Sequence, residues 1–106
     1  MEILQLKYFC NAAETENFSA TAKNFKVPPS DISQSIKRLE REIGSSLFDR
    51  SANRIKLNAN GAILYENTKA ALNLLTDAKD RICKSDEFSG EIKLLIETNR
   101  RLVSNA

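Results

Sequence analysis

A chain of 106 residues has the length of one domain and leaves no room for a large two-domain enzyme. Its 42% hydrophobic and 28% charged residues, with three Gly and two Pro, make an ordinary globular composition and argue against disorder or collagen-like repeats. With no His and only two Cys, most zinc chemistry and imidazole general-base catalysis are excluded, so no catalytic residue, metal or cofactor is expected.

Cys10 and Cys83, with 72 residues between them, lie in helical patterns, not in a CxxC, and read as reduced, mostly buried thiols. The first residues, Met-Glu-Ile-Leu-Gln-Leu-Lys, lack the basic and apolar regions of a signal peptide. No apolar run approaches the length of about 20 that spans a membrane. A cytoplasmic protein without membrane partners is therefore expected.

The net charge of +2 conceals an asymmetry. Residues 1–16 sum to −2 and residues 57–106 balance at seven of each sign. Residues 37–56 hold Lys37, Arg38, Arg41, Arg50, Arg54 and Lys56 against Glu40, Glu42 and Asp49, a local +3. Such a block suits a phosphate-binding surface, although a solvated face looks similar.

Periodicity orders the elements. Leu6, Phe9, Cys10 and Ala13 give the first helix an apolar face, and it ends near 14–17. Ser19 reads as the N-cap of a short second helix over 20–25. Pro28-Pro29-Ser30 breaks that helix and starts another, because Pro is tolerated only in a first turn. The third helix, about 30–43, carries Ile32, Ile36, Leu39 and Ile43 as one buried stripe. At 100 degrees per residue its opposite face carries Ser30, Gln34, Lys37 and Arg41, with Ser33 and Arg38 on the flanks. Gly44 stands where a left-handed helix terminator is expected.

Leu47-Phe48 reads as an apolar anchor, and residues 50–57 as a hairpin about a Ser-Ala-Asn turn. Asn58 caps a long helix over 59–84, about 39 Å at 1.5 Å per residue. Its Leu64, Thr68, Ala71, Leu75, Ala78 and Ile82 form a coiled-coil seam that needs a partner helix, so homodimerisation is expected. Residues 85–90 read as a linker and Ile92-Lys-Leu-Leu-Ile96 as an unpaired strand, as if a larger protein continued. The fold class is thus mainly α: a winged helix-turn-helix of three helices and a two-stranded wing, then a long dimerisation helix. Such a domain lays its third helix in the DNA major groove.

Phe18-Ser-Ala-Thr-Ala22, Asp31-Ile-Ser-Gln-Ser-Ile-Lys-Arg-Leu-Glu40, Gly44-Ser-Ser-Leu-Phe-Asp-Arg50 and Leu57-Asn-Ala-Asn-Gly61 resemble the N-terminal DNA-binding domain of LysR-type transcriptional regulators. The resemblance covers about residues 2–85. It implies a DNA-binding domain over 1–58, a linker helix over 59–85 that pairs antiparallel with its copy, and at 86–106 a hinge and the first strand of an effector-binding domain. Double-stranded promoter DNA with a dyad-like site, a homodimer, a tetramer in the full-length protein and a small-molecule effector for the remaining domain follow from it. This chain departs from the family at Pro28-Pro29, where Ser-Gln is usual, at Asp31, where a small residue is usual, at Ser35 for Gln or His, and at Asn58 for Thr. These departures bear on the target sequence and not on the fold.

The expected DNA contacts are Ser19, Pro29, Ser30, Asp31, Ser33, Gln34, Lys37, Arg38, Arg50, Arg54 and Lys56. Gln34 is the best base reader, since its amide can pair with adenine N6 and N7. Lys37 and Arg38 suit phosphates, with intrahelical pairs to Glu40 or Glu42 as the alternative. Arg50 suits the backbone, with an ion pair to Asp49 or Glu40 as the alternative. Arg54 at the wing tip suits an A·T-rich minor groove, supported by Lys56. The competing function is a short interaction module that dimerises with full-length regulators and antagonises them.

Overall fold

The computed structural model describes residues 1–86, although not the side chains of residues 85 and 86. Its elements are α1 (Ile3–Thr15), α2 (Phe18–Phe25), α3 (Pro29–Ile43), β1 (Phe48–Ser51), β2 (Arg54–Leu57) and α4 (Ala59–Asp86). The expected strand at 92–96 lies outside the described residues. The chain divides after Ala70 into two units, the first holding the three short helices, the hairpin and the opening turns of α4.

Within the first unit, α1, α2 and α3 pack on one another around Phe9, Ala12, Ile32, Ile36 and Leu39, all fully buried. Each large side chain so buried contributes about 1.5–3 kcal/mol relative to exposure. On α1 the buried residues are Tyr8, Phe9, Cys10 and Ala12, while Leu6 and Ala13 are half-buried. The buried face is therefore rotated from the expected one towards Tyr8, whose ring meets Phe25 edge-on at 4.9 Å. Ile43, expected on the buried stripe of α3, is 40% exposed. It closes the helix beside Gly44, at the rim of the body next to Met1 and Ile63.

Turns are set by short-range chemistry. Glu16 adopts the left-handed conformation (φ 51°) and its N–H donates to Ala12 O, ending α1. Asn17, not Ser19, then caps α2: its Oδ1 accepts from Ala20 N at 3.0 Å. The helix starts earlier than expected because Phe18 turns inward, its ring edge-on to Phe48 at 5.6 Å. Lys26 (φ 56°) ends α2, and Pro28 and Pro29 open α3 with Pro29 in the first helical position, where its missing N–H costs nothing. Gly44 (φ 84°) closes α3 as expected.

The hairpin pairs Phe48 with Leu57 and Ser51 with Arg54, antiparallel, so the turn is the two residues Ala52-Asn53 and not three. Both have positive φ, 46° and 65°, the hand that matches the twist of adjoining strands. Phe48, 2% exposed and also edge-on to Phe9 at 5.8 Å, roots the hairpin in the core. The expected cap at Asn58 is present, its Oδ1 accepting from Gly61 N at 2.8 Å. Along α4, Thr68 is buried, and the side chains from Asn73 to Lys84 are exposed. Cys10 is buried, whereas Cys83, expected to be buried, is exposed, because nothing among the described residues covers that part of the helix.

Candidate nucleic-acid interface

The face of α3 opposite the Ile32-Ile36-Leu39 stripe presents Ser30, Asp31, Gln34, Lys37, Arg38 and Arg41, all exposed, with Ser33 half-buried. Among the described residues no carboxylate pairs with Lys37, Arg38 or Arg41. The alternative of intrahelical pairs is not realised: Glu42 takes the Met1 ammonium at 2.8 Å, and Glu40 turns to the wing. Asp31, Gln34 and Arg38 line a groove shared with Gln5 and Tyr8 of α1. Gln5 Nε2 donates to Ser35 O at 3.0 Å and so fixes α3 against α1 beneath that groove.

Glu40 joins α3 to the wing. Its Oε2 accepts from Leu47 N at 2.8 Å, and its Oε1 accepts from Arg50 Nη2 at 3.1 Å. The Arg50 guanidinium also lies 5.6 Å over the centre of the Phe18 ring. Of the alternatives for Arg50, the Glu40 ion pair is the one formed and Asp49 takes no part. Arg50 thus holds the wing to the helical body through charge and stacking, although 38% of its side chain remains accessible.

On the other side, Glu16 Oε2 accepts from Leu57 N at 2.8 Å, tying β2 to the turn between α1 and α2. From sequence, Glu40 was weighed only as an ion-pair partner for Arg50, Lys37 or Arg38 and its hydrogen bond to Leu47 N was not foreseen, while nothing marked Glu16. The result is a groove between the start of α2 and the wing that brings Ser19 together with Arg54, alongside Asn17, Phe18 and Asn53. Arg54 and Lys56 are exposed on β2, and Lys56 stands opposite Asp49 in the ladder. Pro29 is exposed in the first turn of α3.

A second polar cluster fixes the start of α4. Tyr65 Oη donates to Glu14 Oε2 at 2.6 Å and Lys69 Nζ to the same oxygen at 3.1 Å. These two hydrogen bonds hold the Glu14 carboxyl below the usual carboxylate range, and the same hydrogen bonds raise both Tyr65 and Lys69. Burial pushes the neighbouring Cys10 thiol up, away from the reactive thiolate. Of the expected dimer seam, Leu64 is half-buried and Thr68 is 5% exposed, both covered by their own chain. Ala71, Leu75, Ala78 and Ile82 are exposed, and Leu74 beside them is 71% exposed.

The exposed groups of this surface are amides, hydroxyls, unpaired cations and the Asp31 carboxylate, a set whose chemistry suits phosphates and base edges. Among the described residues no helix is long and apolar enough to cross a membrane.

Residues 3–62 match the family described as bacterial regulatory helix-turn-helix protein, lysR family. The chain is 34% identical over 96 residues to the HTH-type transcriptional regulator TfdT of Cupriavidus pinatubonensis, covering 90% of this chain and 42% of that protein. It is 36% identical over 95 residues to the HTH-type transcriptional activator IlvY of Haemophilus influenzae, covering 89% of this chain and 32% of that one. The chain therefore spans only about a third to two fifths of these relatives. Among solved structures, CbnR, a LysR family transcriptional regulator, aligns at a TM-score of 0.73 and 35% identity over 80% of this chain and 29% of its own. The CbnR DBD-DNA complex aligns at 0.75 and 35% identity over 81% and 99%. The sequence motifs, the order of three helices, wing and long helix, and the match over residues 3–62 agree: the chain belongs to the lysR family of bacterial regulatory helix-turn-helix proteins.

Proposed function

We propose that the chain is the DNA-reading part of a transcriptional regulator, placing α3 in the major groove of a promoter site and its wing against the adjoining backbone and minor groove. One observation carries this reading: α3 is tied to α1 through Gln5 and to the wing through Glu40, yet leaves Ser30, Gln34, Lys37 and Arg38 exposed without carboxylate partners among the described residues. The CbnR DBD-DNA complex, at 35% identity, supports DNA as the ligand. In this reading Gln34 contacts a base edge, Ser30 and Ser33 contact phosphate or base, and Lys37 and Arg38 contact phosphate. Ser19 and Arg54 approach the backbone from the α2 and wing groove, Lys56 reinforces them, and Pro29 packs against the duplex. Arg50 acts mainly through Glu40.

The exposed part of the α4 seam pairs with a second copy, so that two reading helices meet two half-sites. If the chain continues into an effector-binding domain, that domain takes a small-molecule effector and the dimers assemble into tetramers, and the protein works in the cytoplasm.

Titration of the chain against promoter fragments at two salt concentrations tests the reading. Specific binding that falls steeply with salt is expected, as counterion release requires. Gln34→Ala should lose preference at one base position, at a cost of about 1–3 kcal/mol, while Lys37→Ala should weaken all sequences alike. Tight dimerisation with no preference over random DNA at either salt would instead identify an antagonist that acts by pairing with other regulators.

A further inference from the structure

We infer that Asp31 is a specificity-determining residue of the reading helix, selecting a cytosine by accepting a hydrogen bond from its N4 amino group; this rests on the DNA-binding reading above. Asp31 is the third residue of α3 and is exposed. A carboxylate at that position ordinarily reaches back to the N–H of the N-cap residue. Here the N-cap is Pro28, which has no N–H, and Pro29 after it has none either. Asp31 donates its own N–H to Pro28 O at 3.0 Å, but its carboxylate has no hydrogen bond or ion pair among the described residues. Local capping therefore does not consume the charge.

The same two prolines change what the helix end can hold. A helix N-terminus binds phosphate through its free N–H groups. With Pro29 lacking one and the Asp31 N–H already bonded, this end is a poor phosphate cradle and carries a negative charge besides. Asp31 shares the α1 groove with Gln34, the candidate base reader one turn along, so the two side chains stand over adjoining ground.

A carboxylate there accepts only. In the major groove, guanine offers N7 and O6 and thymine O4, all acceptors that repel it. Adenine offers an N6 donor but sets the N7 acceptor beside it. Cytosine presents the N4 amino group without a neighbouring acceptor, so it is the complementary base.

Selection from randomised duplexes by the 106-residue chain, repeated with Asp31→Asn and Asp31→Ala, tests this. Wild type should select a C·G pair at one position per half-site, preferred about tenfold, a single contact of the size expected for base readout. Asp31→Asn should move that preference to A·T, because an amide both donates to adenine N7 and accepts from its N6 amino group. Asp31→Ala should leave the position degenerate. Both variants should bind random DNA more tightly, having lost a charge that phosphates repel. Variants that select the wild-type motif unchanged would overturn the role of Asp31 and leave the DNA-binding reading standing. A wild-type chain that selects no motif would overturn both.

Discussion

Gly61 shows how one missing atom places a helix. It lies in the first turn of α4, and an added Cβ would run into the Leu47 carbonyl oxygen and approach Leu57 Cδ1 at 2.5 Å. The carbonyl cannot move aside, since it accepts from Asn58 N at 3.1 Å and Leu47 N is itself held by Glu40. Gly61→Ala should therefore destabilise the first unit by about 1–3 kcal/mol, the range for overpacking a fitted site. Thermal unfolding followed by circular dichroism should show a fall of roughly 4–8 °C per kcal/mol. Ile63→Ala, at a side chain 61% exposed, should change little. A Gly61→Ala protein that melts with wild type would mean that α4 does not sit on Leu47 in this way.

Between elements, Glu14 links α1 to α4 through Tyr65 and Lys69, and this contact should make stability depend on pH. A carboxylate held down in the folded state stabilises it above the unfolded value and loses that contribution as pH falls through the folded one. The wild type should therefore exceed Glu14→Gln in Tm at neutral pH. The gap should narrow below the ordinary carboxylate range and close once Glu14 is protonated in the folded protein. Water screens the 40% exposed Glu14 side chain, so the gap is small; a gap that stays constant from neutral to acid pH would remove the charge from the account.

Such contacts mark the limit of what sequence shows. The Ile32-Ile36-Leu39 stripe, the Gly44 terminator and the Asn58 cap were legible because each is a local rule met within one or two turns of helix. The Asn17 cap was missed because a distant ring, Phe48, draws Phe18 inward and starts α2 early. Exposure of Ile43 and Cys83 was equally hidden, since periodicity gives the direction of a side chain but not whether an element covers it. In the site, the outward face of α3 was readable by angle alone. The partner of Arg50 was not, because Glu40 and Asp49 were equally available along the chain and only the fold of the wing decides between them.

At the scale of the whole molecule, a net charge of +2 understates the field that DNA meets. Lys37, Arg38, Arg54 and Lys56 are exposed and unpaired among the described residues, whereas Arg50 is neutralised by Glu40. If each of the four neutralises one phosphate, a dimer should show a slope of about −7 in log affinity against log salt, and a monomer about half of that. Leu75 and Ile82, 53% and 46% exposed, are the large side chains of the seam left open by their own chain. Leu75→Glu with Ile82→Glu places charges where a partner helix would have to bury them, which strongly disfavours pairing. Sedimentation should find the wild type dimeric and the variant monomeric. Affinity for a two-half-site duplex should fall by about 10²–10⁴, because the second reading helix no longer arrives tethered to the first, and the salt slope should halve with it. A variant that is monomeric yet keeps both the affinity and the slope would show that one reading head is enough, and that the seam on α4 serves some contact other than DNA recognition.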